Sequence, residues 1–254
     1  MKTCKRDRSY PYFCIVLFWK RIYPQPIGMR VCSYFFLVLG VIAIIYSCGS
    51  ENGDTSQAPE GTMQEELIEP ERPKKIVFFG NSLTAAFGLN PQDGFTAIIQ
   101  RKLAQKDASF KVINAGISGD TAKEGKERVH WVLQQRIDYF VLELGLNDIF
   151  QGASLEELYD DLATIIQKVQ TEAPETTILL TELELPAALP TDARTDFNNI
   201  YTRLAKTYNI SLIPDFLGDV LDVPSLNLPD GLHPNAEGQQ LMAERVWQIL
   251  EAML

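Results

Sequence analysis

Cysteine is absent from residues 49–254, and only two histidines occur there, His130 and His233. All four cysteines lie in the first 48 residues, as Cys4, Cys14, Cys32 and Cys48. The main part of the chain therefore lacks disulfides, thiolate metal sites and a cysteine nucleophile. Any histidine-dependent chemistry has two candidates.

Positive charge is also scarce beyond the N-terminal segment. Residues 1–48 carry seven of the 23 Lys and Arg side chains and one of the 33 Asp and Glu, so residues 49–254 hold 16 basic and 32 acidic side chains. So acidic a surface repels phosphate backbones, which argues against nucleic acid as a partner. The composition of the whole chain, 46% hydrophobic and 22% charged, is that of a globular protein.

The N-terminal segment has the pattern of a targeting signal. Residues 31–48 carry no charge, and their apolar centre has the length of a signal-peptide core and is short for a membrane span. The segment ends in Ser47-Cys48-Gly49, which resembles a bacterial lipobox with Cys48 as the lipidated residue. We expect residues 1–48 to be a leader, starting at Met1 or Met29, with a plain transmembrane anchor as the alternative. Both readings place the rest of the chain outside the cytoplasm, tethered to a membrane in the periplasm or at the cell surface.

Two further regions follow the leader. Residues 49–73 are rich in Glu, Pro, Gly, Thr and Gln, which predicts a flexible acidic linker. From residue 74 onward, short apolar runs alternate with helical patterns. The predicted strands cover residues 75–79, 110–114, 139–144, 176–181 and 211–214. Such alternation predicts an α/β domain over residues 74–254, with a five-stranded parallel sheet covered by helices on both faces.

Polar residues follow the predicted strands where a ligand site of a parallel sheet is expected. After the first strand, Ser82 in a tight turn is a candidate nucleophile or a helix cap. After the second, Gly119 can offer its N–H to a ligand, and Ser118 is a rival nucleophile. After the third, the Asn147 amide suits a developing oxyanion, or is simply a polar turn.

The closing helix is preceded by Asp230-Gly231-Leu232-His233. A separation of three residues lets the carboxylate reach Nδ1 of the ring, which leaves Nε2 free to accept a proton from a hydroxyl. His130 lies inside a predicted helix and is expected to be structural.

Together these segments resemble the SGNH (GDSL) hydrolase superfamily, and within it the thioesterase I/lysophospholipase L1 group of arylesterase-like enzymes. The resemblance extends over residues 74–254. It is carried by FFGNSLTAAFGL (78–89), NAGISGDTAKEG (114–125), LELGLNDIFQG (142–152) and DGLHPNAEG (230–238), and by ELPAALPTDARTDFNNIYTRLA (184–205). It implies a flavodoxin-like three-layer α/β/α fold and a chemistry without metal or organic cofactor.

The resemblance also implies roles for individual residues. Ser82 is the expected nucleophile, His233 the general base and Asp230 its orienting acid, with Ser82, Gly119 and Asn147 forming the oxyanion hole. Two positions depart from the family pattern: Asn81 replaces Asp and keeps an acceptor oxygen, and Leu146 replaces Gly and could narrow the acyl site.

The expected activity is that of a serine esterase acting on acyl esters or thioesters, including lysophospholipids and aryl or short-to-medium acyl esters. The apolar loop at residues 183–190 could line the pocket for the acyl chain of the substrate or pack in the hydrophobic core. A carbohydrate O-acetylesterase and a non-catalytic binding lipoprotein are the alternatives. A metal phosphoesterase is disfavoured because one histidine makes a poor metal set.

Overall fold

The computed structural model describes residues 72–106 and 109–254, and these contain one parallel sheet. Its strands are β1 (Lys74–Gly80), β2 (Phe110–Gly116), β3 (Tyr139–Glu143), β4 (Thr177–Thr181) and β5 (Ser211–Ile213). They lie in the order β2-β1-β3-β4-β5, the flavodoxin-like order, in which the strand sequence reverses between β1 and β3. The five predicted strands are confirmed, with their ends shifted by no more than two residues.

Helices cover both faces of the sheet, which confirms the predicted three-layer architecture. The α-helices are α1 (Phe95–Lys106), α2 (Ala122–Leu133), α3 (Leu146–Gln151), α4 (Leu155–Glu172), α5 (Thr191–Tyr208) and α6 (Ala236–Leu250). Helices α1 and α6 pack together in one layer, whereas α2, α4 and α5 form the other. The sequence indicates only a polar turn after β3, whereas the structure has the short helix α3 there.

The central strands are buried on both faces, as their continuous apolar runs require. The alternation along β1 sends Phe78 towards the ring of Phe95 in α1, with ring centres 5.3 Å apart. Its neighbour Phe79 faces the other layer, where the guanidinium of Arg128 in α2 lies 3.9 Å from the ring centre. Helices α2 and α4 each begin with a capping box, at Thr121 and Ser154, so both starts are fixed by local side chains.

The predicted leader over residues 1–48, including Cys48, and the predicted linker up to residue 71 lie outside the described residues. Within the described ranges, none of the helices combines the length and the apolar character that crossing a membrane requires.

Candidate active site

Three loops start side by side at the carboxyl edge of the sheet. Gly80 at the end of β1 pairs with Gly116 of β2 on one side and with Glu143 of β3 on the other. The loops after these strands therefore begin at the same level, at the point where the strand order reverses. A Cβ on Gly116 would lie 2.5 Å from the Ala85 backbone nitrogen, so the first two loops approach as closely as glycine permits.

Ser82 sits in the tight turn that follows β1. Asn81 Oδ1 accepts the Leu83 N–H at 2.9 Å and lies 3.5 Å from Ser82 Oγ, so the amide fills the acceptor role expected of it. The turn closes when the Phe87 N–H donates to the Ser82 carbonyl at 3.0 Å. Within this turn Ala86 has a left-handed backbone, with a φ of 54°.

The predicted His–Asp pair reaches Ser82 from the segment before α6. His233 Nε2 lies 3.0 Å from Ser82 Oγ, and His233 Nδ1 lies 2.8 Å from Asp230 Oδ2. Asp230 Oδ1 accepts the backbone N–H groups of Leu232 and His233, at 2.9 and 3.0 Å. Burial by itself raises the pKa of Asp230, but these hydrogen bonds and the adjacent ring outweigh it and hold the pKa below the usual value. The carboxylate is thus charged where it faces the ring.

The expected oxyanion donors border the same edge. Gly119 is exposed and has a φ of 93°, and the space in front of its Cα is open. The Asn147 amide nitrogen donates to the Asp120 carbonyl at 2.9 Å, which places it against the loop that carries Gly119. Across the described ranges, the backbone N–H groups of Ser82 and Gly119 make no hydrogen bond and can both donate to a ligand.

Buried side chains tie the three loops to one another. Both oxygens of Asp148 accept the Ala122 N–H at the start of α2, at 3.0 and 2.9 Å, and burial raises the pKa of Asp148 to about 6. Arg128 donates to Asp120 Oδ2 at 2.5 Å and to the Gly80 carbonyl at 3.0 Å. These contacts therefore fix the loop that carries Asn147 relative to the loop that carries Gly119.

Two residues contact the site that the sequence did not single out. Phe87 lies with its ring centre 4.5 Å from that of His233 and is 47% exposed. Glu143 is buried beneath the Ser82 turn and accepts hydrogen bonds from it. In the sequence, the only indication of Glu143 is that it is a single acid inside an apolar strand. The only indication of Phe87 is that it is an aromatic residue in a glycine-containing turn.

Other candidates lie apart from this geometry. Ser118 is exposed, and the ring of His233 is hydrogen-bonded to Ser82 instead. His130 is on the surface of α2, where its Nδ1 lies 3.0 Å from the Glu127 carbonyl. The described residues contain no cluster of three or more His, Cys, Asp or Glu side chains arranged to hold a metal ion.

The structure bears on two expectations about the acyl site. Leu146, which the sequence suggested could narrow the acyl site, packs into the hydrophobic core. In the 183–190 loop, Leu183 and Leu185 are also core residues, which favours the packing alternative for this segment.

Comparison with known proteins identifies several similar chains. A model of the GDSL-like lipase/acylhydrolase family matches residues 78–241. The chain is 31% identical over 189 residues to an esterase, TesA, of Pseudomonas aeruginosa, across 74% of this chain and 93% of the relative. It is 31% identical to thioesterase 1/protease 1/lysophospholipase L1 of Escherichia coli K12, across 70% of this chain and 84% of that protein. A crystal structure of the psychrotrophic esterase EstA from Pseudoalteromonas, inhibited by monoethylphosphonate, superposes with a TM-score of 0.66 at 25% identity and covers 71% of this chain and 98% of EstA.

Proposed function

The chain belongs to the GDSL-like lipase/acylhydrolase family, and from that membership we propose a serine-hydrolase mechanism with Ser82 as the nucleophile. The chain is a carboxylic ester hydrolase that acts on acyl esters or thioesters. The observation that carries the proposal is the continuous hydrogen-bonded line from Asp230 through His233 to Ser82, with distances of 2.8 and 3.0 Å. A nucleophile, its base and an orienting carboxylate in hydrogen-bond reach are what covalent acyl transfer requires.

In the first half-reaction Ser82 Oγ attacks the acyl carbonyl carbon while His233 Nε2 takes the hydroxyl proton. The negative charge that forms on the carbonyl oxygen is met by the N–H groups of Ser82 and Gly119 and by the Asn147 amide. As the intermediate collapses, the bond to the leaving oxygen or sulfur breaks, and the imidazolium returns its proton to that atom. Asp230 stabilises the imidazolium throughout.

In the second half-reaction water attacks the acyl-enzyme. His233 again accepts a proton, now from water, and the same donors hold the second oxyanion. As this intermediate collapses, the bond between the acyl carbon and Ser82 Oγ breaks, His233 returns its proton to Oγ, and the carboxylic acid is released.

Aryl and apolar esters, together with lysophospholipids, are the substrate classes that we propose. Phe87 supports the apolar part of this proposal because it is one of the few large hydrophobic side chains exposed on the described surface, and it lies against the catalytic ring. The leaving group must approach His233 to receive its proton. An apolar or aromatic alcohol would therefore meet the Phe87 ring on its way out.

We further propose that the protein is a membrane-tethered, extracytoplasmic lipoprotein with lipid on Cys48. This rests on the sequence of residues 31–49. Expression of the full chain in bacteria with radiolabelled palmitate tests it: label should enter the wild-type protein and be absent from Cys48→Ser. Membrane retention of the wild-type protein without label would instead identify a transmembrane anchor.

The activity test uses the full chain with p-nitrophenyl acetate, butyrate, octanoate and palmitate. Ser82→Ala and His233→Ala should both lose activity, whereas Ser118→Ala, a matched serine on the neighbouring loop, should keep it. Full activity in Ser82→Ala would overturn the mechanism. A sharp fall from acetate to octanoate would favour the O-acetylesterase alternative over an acyl-lipid esterase.

A further inference from the structure

Glu143, the last residue of β3, is a buried acid that the proposed mechanism does not use. Its side chain is 1% exposed. Oε2 accepts three hydrogen bonds, all from the segment around Ser82: the Asn81 N–H at 3.1 Å, the Thr84 N–H at 3.3 Å and Thr84 Oγ1 at 2.8 Å. One oxygen of one carboxylate therefore gathers donors from both sides of the nucleophile.

The carboxylate is packed directly against the backbone of this turn. A Cβ placed on Gly80 would lie 2.4 Å from Glu143 Oε2 and 2.2 Å from Thr84 Oγ1. Glycine at the end of β1 thus makes room for the acid, and the acid fills that room. Any shift of the carboxylate would move the two N–H groups that flank Ser82.

The second oxygen is used differently. Glu143 Oε1 is buried and has no hydrogen-bond partner in the described part of the chain. Burial raises the pKa of Glu143 to about 7, while the hydrogen bonds from Thr84 and Asn81 act in the opposite direction. A buried carboxylate without a counterion is costly to the fold. The carboxylate therefore depends on the turn for the hydrogen bonds that offset this cost.

We propose that Glu143 is a positioning residue, which holds Ser82 at the distance from His233 and at the angle to the oxyanion donors that acyl transfer needs. This inference rests on the proposed role of Ser82. It differs from a purely structural role because the acceptor at Oε2, and not the volume of the side chain, sets the position of the turn. Displacement of a reacting group by about 1 Å can cost on the order of 100-fold in rate.

The test compares two substitutions of similar size in the full chain. Glu143→Gln keeps an acceptor oxygen for the three donors, whereas Glu143→Met keeps the volume and removes the acceptor. Glu184→Met is the matched control, since Glu184 is another largely buried acid whose Oε2 accepts a single N–H, from Leu217 at 3.0 Å, away from the Ser82 turn. For each variant, kcat and KM for p-nitrophenyl butyrate are measured, and competent sites are counted by labelling to completion with a fluorophosphonate, so that slowly reacting sites are included.

We expect Glu143→Met to lose about 100-fold in kcat per competent site with KM changed by less than about threefold. Glu143→Gln should recover activity to within about fivefold of wild type. Glu184→Met should keep the wild-type kcat per competent site even if it is less stable. The proposal is overturned if Glu143→Met loses only thermal stability and competent sites, or if Gln and Met are equally impaired. Full activity of Ser82→Ala would instead remove the proposed function itself, so the two failures are distinguishable.

Discussion

Replacement of Asp230 by Asn tests the charge and the orientation of the proposed pair in one step. Asp230 Oδ1 accepts two backbone N–H groups, and Oδ2 faces Nδ1 of His233 at 2.8 Å. An Asn at this position has one acceptor oxygen, which the two N–H donors will hold. Its NH2 group must then face the ring, where a carboxylate oxygen accepted the ring proton.

The expected loss in kcat follows from this change of a hydrogen-bond acceptor into a donor opposite the His233 ring. Loss of a hydrogen bond to a charged group removes about 1.5–3 kcal/mol, and the amide's own donor adds roughly 0.5–1.5 kcal/mol in favour of the wrong tautomer. In that tautomer Nε2 carries the proton and donates to Ser82 instead of accepting from it. The sum corresponds to a loss of roughly 30- to 2,000-fold in kcat.

The assay is the hydrolysis of p-nitrophenyl butyrate, with kcat expressed per competent site. KM and the melting temperature should change little, because both backbone hydrogen bonds to position 230 survive. Asp138→Asn is the matched control: its carboxylate also accepts a backbone N–H, from Lys75 at 2.8 Å, but at the opposite edge of the sheet. An Asp230→Asn enzyme within tenfold of wild type would refute the reasoning.

Three other outcomes are expected. Asn147→Ala should lower kcat by about 10²–10³ with a smaller effect on KM, measured with the same ester. Phe87→Ala should lower kcat/KM for benzyl acetate about tenfold and leave 2-methoxyethyl acetate almost unchanged; an equal loss on both would mean that Phe87 only orients His233. Burial raises the pKa of Glu184 from its ordinary value of 4.5 to about 8 in the folded protein. The free energy of unfolding therefore falls as the pH rises from about 4.5 to 8, because the unfolded chain releases this proton more readily than the folded protein does. Glu184→Gln removes this cost, so its free energy of unfolding relative to wild type should rise by roughly 2–4 kcal/mol between pH 4 and 8, and a gain independent of pH would contradict this.

The sheet could be predicted from the sequence because its strands are short, apolar and bounded by polar loops. Loop positions followed from the topology, since parallel strands bring their carboxyl ends to one edge. The structure accordingly brings Ser82, His233 and Asp230 into hydrogen-bond contact as the resemblance implied.

The supporting residues could not be predicted in the same way. In a strand that is buried on both faces, hydrophobic alternation gives no indication of where Glu143 points. The exposure of Phe87 depends on the left-handed backbone at Ala86, which alanine seldom adopts. The position of Leu146 beside Asn147 in the sequence suggests that it could narrow the acyl site, and it does not reveal that the side chain packs in the core at the start of helix α3.

Both ends of the described chain lie at the edge of the sheet away from Ser82. Strand β1 begins at Lys74, and the hydroxyl of Tyr139, the first residue of β3, donates to the Met253 carbonyl at 2.7 Å. A bead, electrode or fusion partner joined at Leu254, or a tether that enters at residue 72, would therefore hold the domain with the Ser82 edge facing outward. For an immobilised ester-hydrolysing catalyst, coupling through the C-terminus should preserve access for substrates, and so should attachment through the segment that precedes residue 72.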